Sequence, residues 1–394
     1  MLRAGLFLYD HIGGRKRLPG TETVDLTRPP HTGVLEDRLT SGFAYSDCWV
    51  EDARLVVLNA LDAAERGADI RVRTEVTGLE RRSSDWLATL RGPDGQKEQV
   101  AAKQVVNAAG PWVDAVLGKA IPGEEHRNLR LVQGSHLIFP RLFHGDHCYI
   151  FQNGDGRIVF AIPYENAFTL VGTTDRRYEG DPGKVAITDG EADYICAAIN
   201  EYLATDVTPA DAVASYSGVR PLYDDKSGSD STVTRDYVFE LDRGTSEREA
   251  PILSVFGGKI TTYRKLAEHA LEKLGVPGKA WTGHAPLPGG DLPAKFEAFA
   301  AQLIRTTPLL PQQTVWRLCR AYGTRIRDVI GTATSAADMG EHFGSGLYER
   351  EVRYLVDKEY ARSAEDILWR RSKLGLHLGE AGQARLAEWF AALP

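Results

Sequence analysis

The sequence predicts a mixed α/β and α+β protein of more than one domain that ends in a helical region. Three observations carry this. Helical and strand-like runs alternate around Asp52–Gly110 and again around Pro251–Gly275. Between them, residues 127–237 are dense in short β-prone runs separated by turn residues. After a stretch rich in Pro and Gly at 276–293, the remainder has helical character. At 394 residues the chain is too long for one ordinary core, so two or three domains are expected.

Taken in order, the start (Met1–Asp10) has an apolar run too short for a secretory signal. Arg15, Lys16 and Arg17 follow closely, a combination suited to an anionic membrane surface. A helix packed on the protein is the favoured reading. Nothing in the sequence approaches the roughly 20 apolar residues that cross a bilayer. Asp52–Arg66 places Leu55, Leu58, Leu61 and Ala64 at helical spacing, with Gly67 at a C-cap position. Ile70–Arg73 alternates as a strand and would complete half of a βαβ unit. Val76–Leu79, Trp86–Leu90 and Gln99–Ala102 read as a small antiparallel meander. Gln104–Gly110 reads as a buried strand ending in small residues, and Pro111 opens the next helix.

The strand-rich middle contains His136–Phe139, Tyr149–Phe151, Ile158–Phe160 and Thr169–Val171, with a hairpin signal at Asn153-Gly154-Asp155-Gly156 and a helix near Asp189–Leu203. Pro251–Phe256 is a continuous apolar strand of the kind covered on both faces. The helix after it carries Tyr263, Leu266, Ala267, Ala270, Leu271 and Leu274 on one side and stops at Gly275. The chain thus returns to its first sheet. The expected domains are 1–126 with 251–275, 127–250, a linker at 276–293, and a helical domain at 294–394.

Composition narrows the function classes. The sequence is 43% hydrophobic and 26% charged with a net charge of −7, which argues against a nucleic-acid-tracking surface. Cys48, Cys148, Cys196 and Cys319 are scattered, which fits reduced thiols in the cytoplasm better than a disulfide framework or a zinc site. His144 and His147 flank Asp146, but no third and fourth metal ligand is evident, so a polar loop is preferred and no metal is expected.

The chemistry-bearing residues cluster late. Gly257-Gly258-Lys259 follows an apolar strand but fails as a phosphate-binding P-loop, because position 253 is Leu and position 260 is Ile. A strand-to-helix turn whose glycines let backbone amides approach a planar ring fits better; an ordinary glycine turn has about equal standing. Arg220 precedes Pro221 and is therefore held extended, and Arg235 follows the Ser227–Ser231 loop. Paired arginines grip a phosphate monoester through bidentate hydrogen bonds. Either alone reads better as a surface or salt-bridging residue; the pair with Lys259 points to a phosphorylated substrate. His136, behind Gly134 and Ser135, is suited to accept a hydroxyl proton, although a hydrogen-bonded structural histidine is the favoured reading without its context. Gly172–Asp175 and Tyr216-Ser217 rank below the cations as lining groups.

These motifs resemble those of the FAD-dependent, quinone-linked glycerol-3-phosphate dehydrogenases, within the larger group of D-amino-acid-oxidase-like flavoproteins. The resemblance runs over Tyr9–His11, Leu18–Gly20, Tyr45–Leu55, Val106–Trp112, Gly134–His136, Gly172–Asp175, Ser217–Leu222, Thr234–Tyr237, Phe256–Ala270, Leu287–Gly290, Tyr354–Asp357 and Asp366–Arg371. It implies an FAD-binding Rossmann-like domain, an antiparallel substrate domain and a helical C-terminal domain. It also implies oxidation of sn-glycerol 3-phosphate to dihydroxyacetone phosphate, with a hydride passing to FAD and electrons to a quinone. On this reading Arg220 and Arg235 hold phosphate, Lys259 sits by flavin and substrate, and His136 is a candidate acid/base. Val76, Ala108, Gly110, Trp112, Gly257, Gly258, Lys259 and Ile260 border FAD. Peripheral contact on the inner face of the cytoplasmic membrane and a homodimer are implied partners.

The family opens with a strand, a glycine-rich turn and a helix that seat the FAD pyrophosphate, whereas this sequence has no Gly-x-Gly-x-x-Gly. A shortened start is the favoured expectation, ahead of a degenerate or split partner. Gln133 stands where a lysine is expected before Gly-Ser-His. Two other readings stay open: an oxidase of an amino or hydroxy acid on the same fold, and an inactive flavoprotein remnant serving as a binding module.

Overall fold

In the computed structural model the chain opens with helix α1 (Leu2–His11) and the antiparallel pair β1 (Glu22–Asp25) and β2 (Ser41–Ala44). It continues through α2 (Asp52–Glu65) into β3 (Glu75–Arg81), β4 (Trp86–Arg91) and β5 (Lys97–Ala102), a three-stranded antiparallel sheet. Next come β6 (Val105–Asn107), a one-turn helix at Gly110–Trp112, and α3 (Val113–Ala120). The largest sheet follows: β7 (Leu129–Pro140), β8 (Tyr149–Gln152), β9 (Ile158–Tyr164), β10 (Phe168–Gly172), β11 (Arg176–Arg177) and, after α4 (Asp189–Asn200), β12 (Ala214–Tyr223). β13 (Val238–Asp242) and β14 (Ile252–Phe256) pair antiparallel, and β14 lies parallel to β6. Beyond them are α5 (Tyr263–Lys273), α6 (Phe296–Thr306), α7 (Gln312–Tyr322) and α8 (Ile326–Ile330). The small pair β15 (His342–Gly344) and β16 (Leu347–Tyr348), then α9 (Glu349–Asp357) and α10 (Glu380–Ala391), complete the chain.

The structure describes residues 2–11, 18–121, 127–172, 174–224, 236–245 and 249–393. Arg15, Lys16, Arg17, Thr173, the Ser227–Ser231 loop, Thr234 and Arg235 lie outside them. The chain divides into two compact units, 1–49 with 103–259 and 50–102 with 260–394. These cuts differ from those suggested by the sequence at 126, 250 and 275, and limited proteolysis distinguishes the two divisions. No helix among the described residues is long and apolar enough to cross a membrane.

In the first unit, the core lies between the large sheet and α4, where Leu137, Phe139, Val159 and Val171 meet Ile195 and Ile199. A capping box fixes the start of α4: Thr188 accepts from the Glu191 backbone and Glu191 accepts from Thr188. The hairpin at Asn153–Gly156 forms as expected, closed by the Asn153 amide on the Arg157 carbonyl. Two expectations need correction. Val106 is 49% exposed, so β6 is no buried strand: β14 alone pairs with it among the described residues. Ile70–Arg73 forms no strand, because no described neighbour pairs with it and Arg73 turns the chain at φ 54°.

The second unit is built on α6–α10 around Val315, Leu318, Ile326, Phe343, Val352 and Leu355. Buried charges tie α2 into it. Glu359 is fully buried and accepts from both Nη atoms of Arg54, which also donates to the Ala321 carbonyl at 3.0 Å. The Arg54 guanidinium lies over the Tyr322 ring, and the Tyr322 hydroxyl donates to buried Glu351, itself held bidentately by Arg317. Gly289 and Gly323 cross so closely that a Cβ on either would lie within 2.1 Å of the other segment's carbonyl oxygen. On α5, Ala267 and Leu271 face outward, so the expected apolar face narrows to Tyr263, Leu266, Ala270 and Leu274.

Candidate functional site

β7 runs through the middle of the six-stranded sheet, with β12 along one side and β10 and β11 on the other. Its side chains alternate. Gln133, Ser135, Leu137 and Phe139 face α4, while Gly134 and His136 face away. Register brings three residues of β12 onto that second face. Tyr216 lies opposite His136, Gly218 opposite Gly134, and Arg220 opposite Val132.

His136 is clamped between two neighbours. The Tyr216 ring stacks on it at 4.9 Å between centroids and 14° between planes. On the other side, a Cβ at Gly172 would stand 2.5 Å from His136 Cδ2, so the imidazole occupies the place of the missing side chain. His136 Nδ1 is buried and has no hydrogen-bond partner among the described residues. Burial, and secondarily the charge of Arg220, push its pKa down from 6.5 to about 4. The ring is therefore neutral at neutral pH and able to accept a proton.

Beneath this strand sits a carboxylate that the sequence reading did not single out. Glu191 is 7% exposed and accepts from Gln133 Nε2 at 3.0 Å, Ser135 Oγ at 3.0 Å and Thr174 Oγ1 at 2.9 Å. Burial raises its pKa, but the hydrogen bonds from Thr174, Thr188 and Ser135 outweigh that and leave it lowered. Ser135 also shares a 2.9 Å hydrogen bond with Ser217. The hydroxyls of Thr174 and Ser217 thus brace the underside of β7. The sequence signal for Glu191 was the Thr188-x-x-Glu191 spacing of a capping box. Gln133, in place of the expected lysine, meets Glu191 with a neutral amide.

The glycine corner lies at the carboxyl ends of two parallel strands. Ser254 of β14 is level with Asn107 of β6, so Ala108–Gly110 and Gly257-Gly258 emerge side by side, the position at which open α/β sheets bind ligands. Gly110, Gly257 and Gly258 have φ of 54°, 68° and 98°, a region that glycine enters without steric cost. Asn107 is buried, donates to the Val113 carbonyl at 2.9 Å, and leaves its Oδ1 without a hydrogen-bond partner among the described residues. Trp112 is 47% exposed beside this corner. Such a backbone-lined edge fits the flat ring of a flavin.

The corner also meets the cation-bearing strand. A Cβ on Gly257 would be 3.1 Å from the Asp236 carbonyl oxygen and 3.5 Å from that of Pro221. Three segments therefore converge: β12 just after Arg220, the chain at Asp236, and the turn leading to Lys259. Arg220 is ion-paired with Asp175. Arg235 itself lies outside the described residues, one position before Asp236. His136, Arg220, Gly257, Gly258 and Lys259 all belong to the first unit, as do Ala108, Gly110 and Trp112. Val76 in β3 and Ile260, just before α5, belong to the second.

Comparison with known proteins bears on the family. Residues 8–244 match the family model described as FAD dependent oxidoreductase, and residues 280–393 match the C-terminal domain of alpha-glycerophosphate oxidase. A D-erythritol 1-phosphate dehydrogenase of Brucella abortus is 48% identical over 396 residues, covering 99% of this chain and 78% of that protein. A glycerol-3-phosphate dehydrogenase of Pseudomonas aeruginosa is 47% identical over 394 residues, covering 99% and 76%. Among solved structures, the glycerol-3-phosphate dehydrogenase of Bacillus halodurans complexed with FAD superposes with a TM-score of 0.74 at 27% identity, covering 91% of this chain and 73% of that one.

Proposed function

This chain belongs to the family of FAD-dependent glycerol-3-phosphate dehydrogenases, and from that premise we propose that it oxidises the C2 hydroxyl of sn-glycerol 3-phosphate, giving dihydroxyacetone phosphate. The observation that carries this reading is the convergence at Gly257 of the Arg220 strand, the Asp236 backbone and the Lys259 turn. Ala108, Gly110, Trp112, Gly257, Gly258 and Lys259 would hold the flavin ring. When bound, FAD supplies the acceptor for the C2 hydride.

The protein's own residues bind, orient and move the proton. Arg220 is exposed and paired with Asp175, an arrangement worth only about 0–1 kcal/mol. A phosphate carrying about −1.5 to −2 charges displaces the carboxylate and takes the guanidinium bidentately. Arg235 completes the grip. The phosphate brings more negative charge beside Arg220 than the carboxylate it displaces, so the guanidinium depresses His136 less and the imidazole becomes more basic as substrate arrives. The hydroxyl proton then passes to His136 while Lys259 offsets negative charge at the reacting end. The two electrons leave to a quinone at a membrane surface. Phe7 and Leu8, each 62% exposed on α1, support peripheral contact there. Light scattering tests the accompanying proposal of a homodimer.

A second substrate is favoured by one observation, the 48% identity to a D-erythritol 1-phosphate dehydrogenase. Both molecules are polyols with a terminal phosphate. Turnover with each, with their unphosphorylated parents, and with glycine and lactate, using a quinone analogue as acceptor, tests the reading. Oxidation confined to the phosphorylated polyols supports it. Oxidation of glycine or lactate, with the phosphorylated polyols inert, contradicts it.

A further inference from the structure

Resting on the reading above, we propose that Gly218 is the specificity-determining floor of the site, the place where the carbon chain of the phosphorylated polyol lies between His136 and Arg220. Gly218 is in the middle of β12, two residues from Tyr216 on one side and two from Arg220 on the other, so all three side-chain positions share one face. Its direct partner across the sheet is another glycine, Gly134. The row between the His136–Tyr216 pair and Arg220 therefore carries no side chain.

Nothing in the fold requires glycine at 218. It is not among the residues with positive φ, and a Cβ built there would meet no atom of a described residue within 4 Å. This contrasts with Gly172 and Gly257, whose missing side chains make room for the protein itself. A glycine inside a strand weakens it relative to alanine, and its presence marks a place where something else approaches the backbone closely. The open space above Gly218 faces the same side as His136, the proton acceptor, and Arg220, the phosphate holder. A small polyol phosphate bridging those two groups passes over this row.

The test is the pair Gly218→Ala and Gly218→Val. Thermal melting is followed with and without saturating sn-glycerol 3-phosphate, and with D-erythritol 1-phosphate, alongside KM and kcat for each. The expected result is a melting midpoint equal to or above wild type without ligand. The ligand-induced rise should shrink and KM should increase about tenfold or more, with Val worse than Ala. Wild type stabilised by ligand and both variants stabilised equally, with KM unchanged, overturns the role of Gly218 and leaves the proposed function standing. Variants that melt well below wild type without ligand also overturn it, since the position would then be structural. Wild type unresponsive to either phosphorylated polyol overturns the substrate reading itself, and this inference with it.

Discussion

Replacing Gly172 by alanine tests the placement of His136 at the smallest scale. The new Cβ would stand 2.5 Å from His136 Cδ2, 2.8 Å from Cγ and 2.7 Å from the Ser135 carbonyl oxygen. Carbon atoms rest at about 3.5–4.0 Å, so the overlap with the ring is about 1 Å, with a second close contact at the carbonyl oxygen. The Ser135 oxygen is main chain within a paired strand and cannot yield, which leaves the imidazole to move. Overpacking of this kind costs about 1–3 kcal/mol of stability. A displacement of about 1 Å in a reacting group can lower the rate about 100-fold. Urea unfolding and steady-state turnover of sn-glycerol 3-phosphate measure the two effects. Gly172→Ala should lose both stability and kcat, and adding His136→Ala should restore only part of the stability, since the contact with the Ser135 oxygen persists, while leaving turnover low. Turnover of Gly172→Ala within threefold of wild type would refute the view that the ring must lie where it does.

Three further outcomes follow from the same geometry. His136 titrates near 4 in the folded protein against 6.5 when unfolded. The unfolded chain therefore takes up the proton first, and stability falls as pH drops through that window, by about 3 kcal/mol in total; the difference between wild type and His136→Gln across pH 4–7 isolates this contribution. Glu359→Gln strands the buried Arg54 guanidinium and should cost about 3–5 kcal/mol in denaturant unfolding, whereas Arg54→Met with Glu359→Leu together should recover much of the loss. Gly289→Ala places a Cβ 2.1 Å from the Tyr322 carbonyl oxygen; the second unit should melt earlier by more than any exposed glycine substitution produces, as monitored by tryptophan fluorescence.

The sequence revealed most where one residue type can do one job. The apolar run Ile252–Phe256, the Asn153–Gly156 hairpin and the three-strand meander were legible because burial, turn chemistry and alternation each leave a local mark. So was the Gly257-Gly258 turn. Ile70–Arg73 misled because alternation shows that a strand is possible, not that a neighbour exists to pair with it. β6 misled similarly, since a run such as Val105-Val106 does not say how many of its faces are covered. Glu191 was hidden for another reason: its five hydrogen-bonding contacts come from Gln133, Ser135, Thr174 and Thr188, and only folding brings those residues together. The clamp of Gly172 and Tyr216 on His136 likewise depends on the register of three strands. The cationic residues were conspicuous as types, but the ion pair of Arg220 with Asp175 required the structure.

Oxidation of a phosphorylated polyol against FAD, with His136, Arg220 and Lys259, is the reaction we propose for this chain. It is tested most directly by the visible absorption spectrum of the purified protein, supplied with FAD and held without oxygen, before and after sn-glycerol 3-phosphate is added. A protein-bound flavin band that bleaches on addition of substrate is expected, with loss of that bleaching in Arg220→Ala. A bound flavin band that stays unchanged with sn-glycerol 3-phosphate and with D-erythritol 1-phosphate would contradict it.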